Sequence, residues 1–232
     1  MDTEHLLWRA EPGPRRGPKP SLTRAEVVRA AIAAADADGL EALAMQRVAE
    51  RLGVATMALY RYVPGKHELI SLMLDAAVGA PPEPPSGSPS GSPPEPPSGS
   101  PWREALAGWA RGNREVFRRH PWVLPLVGGP RMMGPNELAW TEAGLRALDP
   151  TGLPPARRLE VLVVVNGFVR AAAAGETAAP RLPGAEALAA FPLFLGALAG
   201  LSSGEGAAVE RFEFGLGLVL DGVRRLVDGT RS

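Results

Sequence analysis

The chain of 232 residues contains no cysteine and only three histidines, His5, His67 and His120. Disulfide bonds and thiolate metal sites are therefore excluded, and the histidines have no metal-ligand spacing among them. A phosphate-binding glycine loop and a dinucleotide fingerprint are also missing from the sequence. The sequence therefore predicts no catalytic residue, no metal site and no cofactor, and we do not expect an enzyme.

Long apolar runs are lacking as well. The most apolar stretch, residues 161–169, is much shorter than the roughly 20 residues that a helix needs to cross a bilayer. The first residues do not form a charged and then apolar leader. We therefore expect a cytoplasmic protein without a membrane partner.

Proline and glycine are abundant, with 25 and 27 residues, and they are concentrated in two segments. Residues 1–20 are rich in proline, glycine and arginine, and the sequence PPEPPSGSP occurs at 81–89 and again at 93–101. These patterns predict a disordered basic arm over 1–20 and a flexible linker over 81–101. For the arm, contact with DNA phosphates and simple solubilisation remain alternatives. For the linker, the alternative to spacing is a proline-rich ligand for another protein.

The charges balance, with 25 lysines and arginines against 25 aspartates and glutamates. Their distribution is uneven, because six basic residues between positions 9 and 29 meet only two acidic ones in that stretch. Acidic residues collect instead at Asp36, Asp38 and Glu41. Local rather than net charge determines where a nucleic acid binds, so the N-terminal part is a candidate for DNA binding.

Helical periodicity covers the remaining sequence, and no alternating strand pattern occurs. Thr23 and Glu26 form a capping-box pattern that predicts the start of the first helix. The predicted helices are 23–38, 45–52, 55–62, 66–78, 102–120, 121–127, 136–148, 154–174, 185–201 and 207–227, with loops at 128–134 and 175–184. The predicted fold class is therefore all-α.

Residues 44–63 contain two short predicted helices joined by a tight turn. Val48 and Leu52 lie on one apolar face of the first, and Gly53 follows where a left-handed residue commonly ends a helix. Leu59 is the inward residue of the second helix, whose other faces carry polar and aromatic groups suited to base edges and phosphates. This arrangement predicts a helix-turn-helix.

The run from 22 to 79 resembles the DNA-binding domain of the TetR repressors. It contains VAERLGVATMALYRYV followed by PGKHELISLMLDA, and it fills every fixed position of the pattern LGV-x-x-x-x-LY-x-[HY]-[FV]-x-x-K-x-x-L. The resemblance implies an N-terminal three-helix helix-turn-helix domain at 21–80, joined to a larger ligand-binding and dimerisation domain at 102–232. It also implies a homodimeric repressor that binds an inverted-repeat operator in double-stranded DNA and is released by a small molecule. An activator or a regulator controlled by a protein partner remains the alternative, followed by an enzyme on a helical scaffold.

The resemblance places three side chains where they read bases. Thr56 and Met57 lie near the start of the recognition helix, and Gln46 matches a position of the preceding helix that reaches a base edge. Glutamine can pair with adenine through two hydrogen bonds. Ala44 and Ala58 depart from the family pattern, which has Ser or Thr at the first position and commonly Thr at the second.

Further positions match phosphate contacts of the family. Tyr60, Tyr62 and Lys66 are the matching residues, and Lys66 also begins a helix whose first amides favour an anion. Arg61 either reads a guanine or balances a phosphate. For Tyr60 and Tyr62, packing against neighbouring helices is the alternative.

The large and the buried polar side chains of the second domain are candidates for ligand binding. They are Trp109, Asn113, Phe117, Trp122, Met133, Trp140 and Asn166. For the aromatic residues and methionine, packing in the core is the alternative. Asn113 and Asn166 lie on apolar helix faces, where an amide needs a partner from another helix, from water or from a ligand. We expect a largely apolar effector.

The helices 154–174 and 207–227 lack a polar face wide enough for solvent, which predicts that they form the dimer interface. In the last helix the apolar residues predicted to face the second protomer are Val209, Phe212, Leu216, Val219, Leu220 and Val223. Because a flexible linker cannot transmit force, the ligand signal is expected to pass from segment 121–127 to the apolar face of helix 66–78.

Overall fold

A computed structural model describes residues 3–9, 22–82, 100–177, 181–201 and 204–230. Within these ranges the backbone forms α-helices and two short 3₁₀ helices and no strand, which confirms the all-α prediction. The helices are α1 Thr3–Trp8, α2 Arg24–Asp38, α3 Met45–Leu52, α4 Thr56–Leu59, α5 Lys66–Val78, α6 Pro101–Arg119, α7 Pro135–Leu148, α8 Pro155–Thr177, α9 Ala185–Leu188, α10 Pro192–Ala199 and α11 Glu205–Gly229. The 3₁₀ helices are Pro121–Val123 and Asp149–Thr151.

Helices α2 to α5 form the N-terminal domain around a small apolar core. The capping box is present at its start, because Thr23 Oγ1 accepts from the Glu26 amide at 3.2 Å and the Thr23 amide donates to Glu26 Oε2 at 2.7 Å. Helix α2 packs on α3 and α5, and its Val27 is fully buried together with Val48 and Leu69. This core fixes the orientation of α4, which packs on α3.

The N-terminal arm is helical where it is described, so the prediction of disorder over 1–20 is wrong for residues 3–8. Leu6 and Leu7 are buried and α1 packs on α5, while Trp8 Nε1 donates to the carbonyl of Met133 at 3.2 Å. Helix α1 is too short for its apolar residues to show a helical period in the sequence. Their burial depends on packing against α5, which the local sequence does not reveal. The predictions for residues 10–20 and for the linker at 83–99 lie outside the described residues.

Helices α6, α7, α8 and α11 form the larger domain, with α6 packed against α7, α8 and α11. Its most deeply buried side chains include Leu106, Val165, Phe212 and Leu216, which come from three of these helices. The stripe predicted on the last helix is therefore divided, because Phe212, Leu216, Leu220 and Val223 fill the core of their own protomer.

Two predicted helices differ from the observed ones. The segment predicted as 55–62 is helical only over Thr56–Leu59 and continues as a turn. The segment predicted as 185–201 is divided into α9 and α10, because Pro192 has no amide hydrogen and disfavours a helical conformation in the residue before it. All of the apolar residues in α9 and α10 remain outside the core.

Candidate nucleic-acid interface and its connection to the helical domain

The turn between α3 and α4 has the geometry that the sequence predicted. Gly53 adopts the left-handed conformation, with φ 66° and ψ 30°, and its amide donates to the carbonyls of Ala49 and Glu50. The Val54 amide also donates to the Ala49 carbonyl, at 3.1 Å. Leu59 is fully buried beneath the turn, so the opposite face of α4 is directed to solvent.

The predicted DNA-reading side chains lie on this solvent-facing surface. Met57 is 75% exposed, and Thr56 beside it is half-buried. Gln46 is exposed on α3, where its Nε2 donates to Glu50 Oε1 at 3.0 Å. This bond uses one of the two amide hydrogens of Gln46, so the other can donate to a base.

The predicted phosphate-binding residues divide into two groups. Tyr60, Arg61 and Lys66 are exposed, and Tyr60 retains 43% of its accessible surface. Tyr62 is half-buried and packs against the core, as the alternative interpretation of this residue predicted. Gly65 precedes α5 and provides no side-chain cap, so Lys66 begins a helix whose N-terminus lacks such a cap.

The C-terminal half of α5 holds the start of α7 through a buried carboxylate. Asp75 is only 8% exposed, and its Oδ1 accepts from the amides of Asn136 at 2.8 Å and Glu137 at 3.4 Å. The Asn136 side-chain amide donates to Asp75 Oδ2 at 3.1 Å and to the Asp75 carbonyl at 3.0 Å. Asp75 thus satisfies the first amides of α7 as an N-cap residue does, although it comes from the other domain.

Burial raises the pKa of Asp75 above its usual value of 3.8, and the nearby charge of Glu137 acts in the same direction. The hydrogen bonds from Asn136 and Glu137 oppose this shift because they stabilise the carboxylate. Glycine is required opposite the carboxylate, since a Cβ on Gly134 would lie 2.1 Å from Asp75 Oδ1. Sequence reasoning missed this contact because its partners are about sixty positions apart.

The loop before α7 is held by a second buried carboxylate. Both oxygens of Glu137 bind Arg131, with Nη1 and Nη2 each at 2.6 Å, and Arg131 Nε also donates to the Leu126 carbonyl at 3.2 Å. The Gly134 amide donates to Glu137 Oε2 at 3.2 Å. A bidentate, charge-assisted ion pair of this kind restricts the loop before α7 to one geometry.

Two predicted ligand residues form a continuous path from α6 to α5. Trp109 Nε1 donates to the Trp140 carbonyl at 2.8 Å, and the two rings meet edge to face with centroids 6.3 Å apart. Trp140 Nε1 in turn donates to the terminal carbonyls of α5, Gly79 at 3.0 Å and Val78 at 3.3 Å. Helix α7 is therefore joined to α5 at two points, through Asp75 and through Trp140.

The segment after α6 contacts α2. His120 Nδ1 and Trp122 Nε1 donate to the same oxygen of Asp36, Oδ1, at 2.7 and 2.6 Å. Helix α7 packs on α5, and the prediction that segment 121–127 acts on the apolar face of α5 stays a prediction. The Asp36 carboxylate accepts both hydrogen bonds and thereby holds this segment against α2.

The remaining predicted ligand residues have different surroundings. Phe117 is buried. The side-chain amide of Asn113 donates to the Trp109 carbonyl of its own helix at 3.1 Å, so this group has a partner without a ligand. Met133 is 37% exposed in the loop before α7. Asn166 Oδ1 is buried and has no hydrogen-bond partner among the described residues.

An apolar surface runs along α8 and α11 on the outside of the protomer. Val163 and Val164 of α8 are 64% and 60% exposed, and Phe214 and Leu218 of α11 are 71% and 59% exposed. A groove of about 420 Å³ between the two helices is lined mainly by apolar side chains, including Val161 and Leu218. In the last helix Phe214 and Leu218 lie outside the stripe that the sequence predicted, whereas Val209 of that stripe is 41% exposed.

Among the helices that the structure describes, none is long and apolar enough to span a bilayer.

Both parts of the chain match known protein families. Residues 27–73 match the model described as bacterial regulatory proteins of the tetR family, and residues 93–227 match the model described as the tetracyclin repressor-like C-terminal domain. A relative from Streptomyces coeruleorubidus, the HTH-type transcriptional repressor DrrR1, is 37% identical over an alignment of 250 positions. That alignment covers 99% of this chain and 87% of the relative.

Solved structures resemble the chain over most of its length. A protein of Streptomyces coelicolor A3(2), described as a possible TetR family transcriptional regulator, aligns with a TM-score of 0.71 and 27% identity. This alignment covers 88% of this chain and 99% of that protein. The Streptomyces coelicolor TetR family protein ActR, solved in complex with actinorhodin, aligns with a TM-score of 0.67 and 25% identity, covering 88% and 96% of the two chains.

Proposed function

The chain belongs to the TetR family and is a ligand-responsive transcriptional repressor, and we propose that it binds an inverted-repeat operator as a homodimer joined through α8 and α11. The observation that carries the proposal is the solvent-facing surface of α4, which buried Leu59 holds outward on the helix-turn-helix. A two-fold dimer presents this surface twice, so its half-sites lie about one helical turn apart or slightly more. The cytoplasm is the proposed place of action, because the operator lies on the chromosome.

The proposed base contacts come from Thr56, Met57 and Gln46. Met57 is suited to an apolar contact such as a thymine methyl group, and Gln46 is suited to adenine. Tyr60, Arg61 and Lys66 are proposed to bind phosphates, which positions α4 but does not select the sequence. We assign Tyr62 a supporting role, since its ring packs against the core.

The proposed dimer interface is supported by the exposed apolar stripes of both helices. Val163 and Leu218 lie beside glycines one turn further along, Gly167 and Gly222, and a Cβ on either glycine would meet no atom of its own protomer within 4 Å. Small residues at these positions let a partner helix approach closely. Covering so much apolar surface stabilises the dimer by about 25 cal/mol for each Å² buried.

The proposed effector is a small and largely apolar molecule that binds in the larger domain near Trp109 and Trp140. Movement of Trp140 changes its bonds to the end of α5, and a shift of α7 changes the position of Asp75. Both contacts act on the helix that follows the recognition helix. A hundredfold loss of operator affinity requires only about 2.7 kcal/mol of differential effector affinity between the two states, so a small shift is sufficient.

Sequencing of genomic DNA that copurifies with the intact protein tests this function. We expect enriched fragments to share an inverted repeat, and Gln46→Ala to change the preferred bases without removing binding to phosphates. Glu50→Ala is the matched control, since it removes only the partner of Gln46 on the same helix. Enrichment without a common sequence, or the same sequence for both variants and wild type, would contradict the assigned readout.

A further inference from the structure

Two buried polar atoms on one turn of α8 have no partner. They are Oδ1 of Asn166, an acceptor, and Nε of Arg170, a donor, and neither makes a hydrogen bond to any residue that the structure describes. The two residues are four positions apart, so their side chains lie on the same face of the helix with about 5–6 Å between Cβ atoms. An unused acceptor and an unused donor therefore lie side by side.

The surroundings of this pair are defined on both sides. Leu162, one turn before Asn166, lies against α7, because a Cβ on Gly144 would be 2.4 Å from a Leu162 methyl group. Arg170 lies under the turn at Gly128, where a Cβ would be 2.7 Å from its Nη2. Asn166 thus lies between α7 and this turn, and Val165 and Val169 next to it are fully buried.

Two half-buried arginines of this domain have carboxylate partners. Arg114 pairs with Glu176 at 2.8 Å, and Arg131 pairs with Glu137 at 2.6 Å. Within the described chain Arg170 has neither an ion pair nor a hydrogen bond, although its Nε is buried. Leaving a buried polar group unpaired costs about 1–3 kcal/mol, and more when the group is charged. Unpaired buried groups of this kind are expected at functional sites, where a bound ligand can complete their hydrogen bonds.

We propose that Asn166 and Arg170 are the polar anchors of the effector site, and that the effector is an apolar ring system with a hydroxyl group next to a carboxylate or carbonyl oxygen. The hydroxyl donates to Asn166 Oδ1, and the acidic or carbonyl oxygen accepts from Arg170 Nε. Leu162, Val165 and Val169, buried on the same stretch of α8, supply the apolar surface proposed to contact the rings. This assignment rests on the proposed ligand-responsive function and adds the chemical class of the ligand.

The test uses three naphthalene probes that differ in one group at a time. They are 1-hydroxy-2-naphthoate with both groups, 2-naphthoate with the carboxylate alone and 1-naphthol with the hydroxyl alone. Isothermal titration calorimetry on the full chain should give 1-hydroxy-2-naphthoate a Kd at least about tenfold below either single-group probe, since each lost hydrogen bond weakens binding by a comparable factor.

Substituting Arg170 or Asn166 should have the same effect on binding as removing the carboxylate or the hydroxyl group from the probe. Arg170→Met should raise the Kd of both carboxylate probes by about tenfold to a hundredfold and leave that of 1-naphthol within about twofold. Asn166→Leu should remove the advantage of the hydroxyl group and spare 2-naphthoate. Arg146→Met is the control, because Arg146 is exposed on α7 and its ion pair is with Glu142 of its own helix.

Thermal unfolding of the free protein separates a ligand role from a structural one. Because their polar atoms are unpaired, Arg170→Met and Asn166→Leu should leave the Tm unchanged or raise it. Arg114→Met should lower the Tm, because Glu176 loses its 2.8 Å ion pair and keeps the longer one to Arg118, at 3.8 Å. Equal affinity of the wild type for the three probes, no binding of any, or a uniform loss with a lowered Tm would overturn the site. Operator binding is measured separately without probe, and its failure alone would count against the repressor function and not against this site.

Discussion

Gly134→Ala should break the contact by which Asp75 of α5 caps α7. The new methyl carbon would lie 2.1 Å from Asp75 Oδ1, 2.4 Å from Cγ and 2.7 Å from Cβ, so the carboxylate or the helix must move. That movement disrupts the bonds from the Asn136 amide, the Asn136 side chain and the Glu137 amide. Hydrogen bonds to a charged group contribute about 1.5–3 kcal/mol each, but partial replacement by water leaves a net loss of about 2–4 kcal/mol.

The assay is urea unfolding at a fixed protomer concentration, followed by operator titrations with and without effector. Gly129→Ala is the matched control, because a Cβ there would meet nothing within 4 Å in the same loop. We expect Gly134→Ala to lower the free energy of unfolding by about 2–4 kcal/mol, to bind effector normally and to remain on DNA when effector is added. Equal stability and equal induction of the two variants would show that the cap carries no signal.

Three other perturbations test the carboxylate of Asp75, the proposed dimer surface and the proposed phosphate contact. Because the pKa of Asp75 is raised in the folded state, stability should fall as pH rises from 3.8 through the folded pKa; Asp75→Asn should therefore gain stability relative to wild type over that window in pH-dependent unfolding. Leu218→Arg should convert the dimer to monomers in light scattering, whereas Arg146→Glu, away from the α8 and α11 surface, should not. Lys66→Ala should reduce the slope of log affinity against log salt by about one, and an unchanged slope would remove the phosphate contact.

Local patterns predicted the DNA-binding part well. The left-handed Gly53, the buried Leu59 and the capping box at Thr23 each depend on neighbours within a few residues, so the sequence alone specifies them. The division of segment 185–201 into two helices at Pro192 also has a local cause. The prediction missed it because the apolar periodicity continues across the proline.

Contacts between distant segments were not predictable in the same way. The burial of Leu6 depends on α5, and the capping role of Asp75 depends on a glycine in another domain. Asn113 and Asn166 looked equivalent on their helix faces, yet only Asn113 bonds to its own helix. Such outcomes are decided by how the helices pack, and the spacing of residues along one helix does not contain that information.

Hydroxyl-radical footprinting of the intact protein on the enriched genomic fragments tests the central claim most directly. A homodimer that reads DNA with α4 should protect two symmetric half-sites on one face of the duplex, with centres about one helical turn apart or slightly more. Addition of the effector should remove both protections together. Protection of a single asymmetric site, or protection that effector leaves unchanged, would contradict a ligand-responsive repressor that acts as a two-fold dimer.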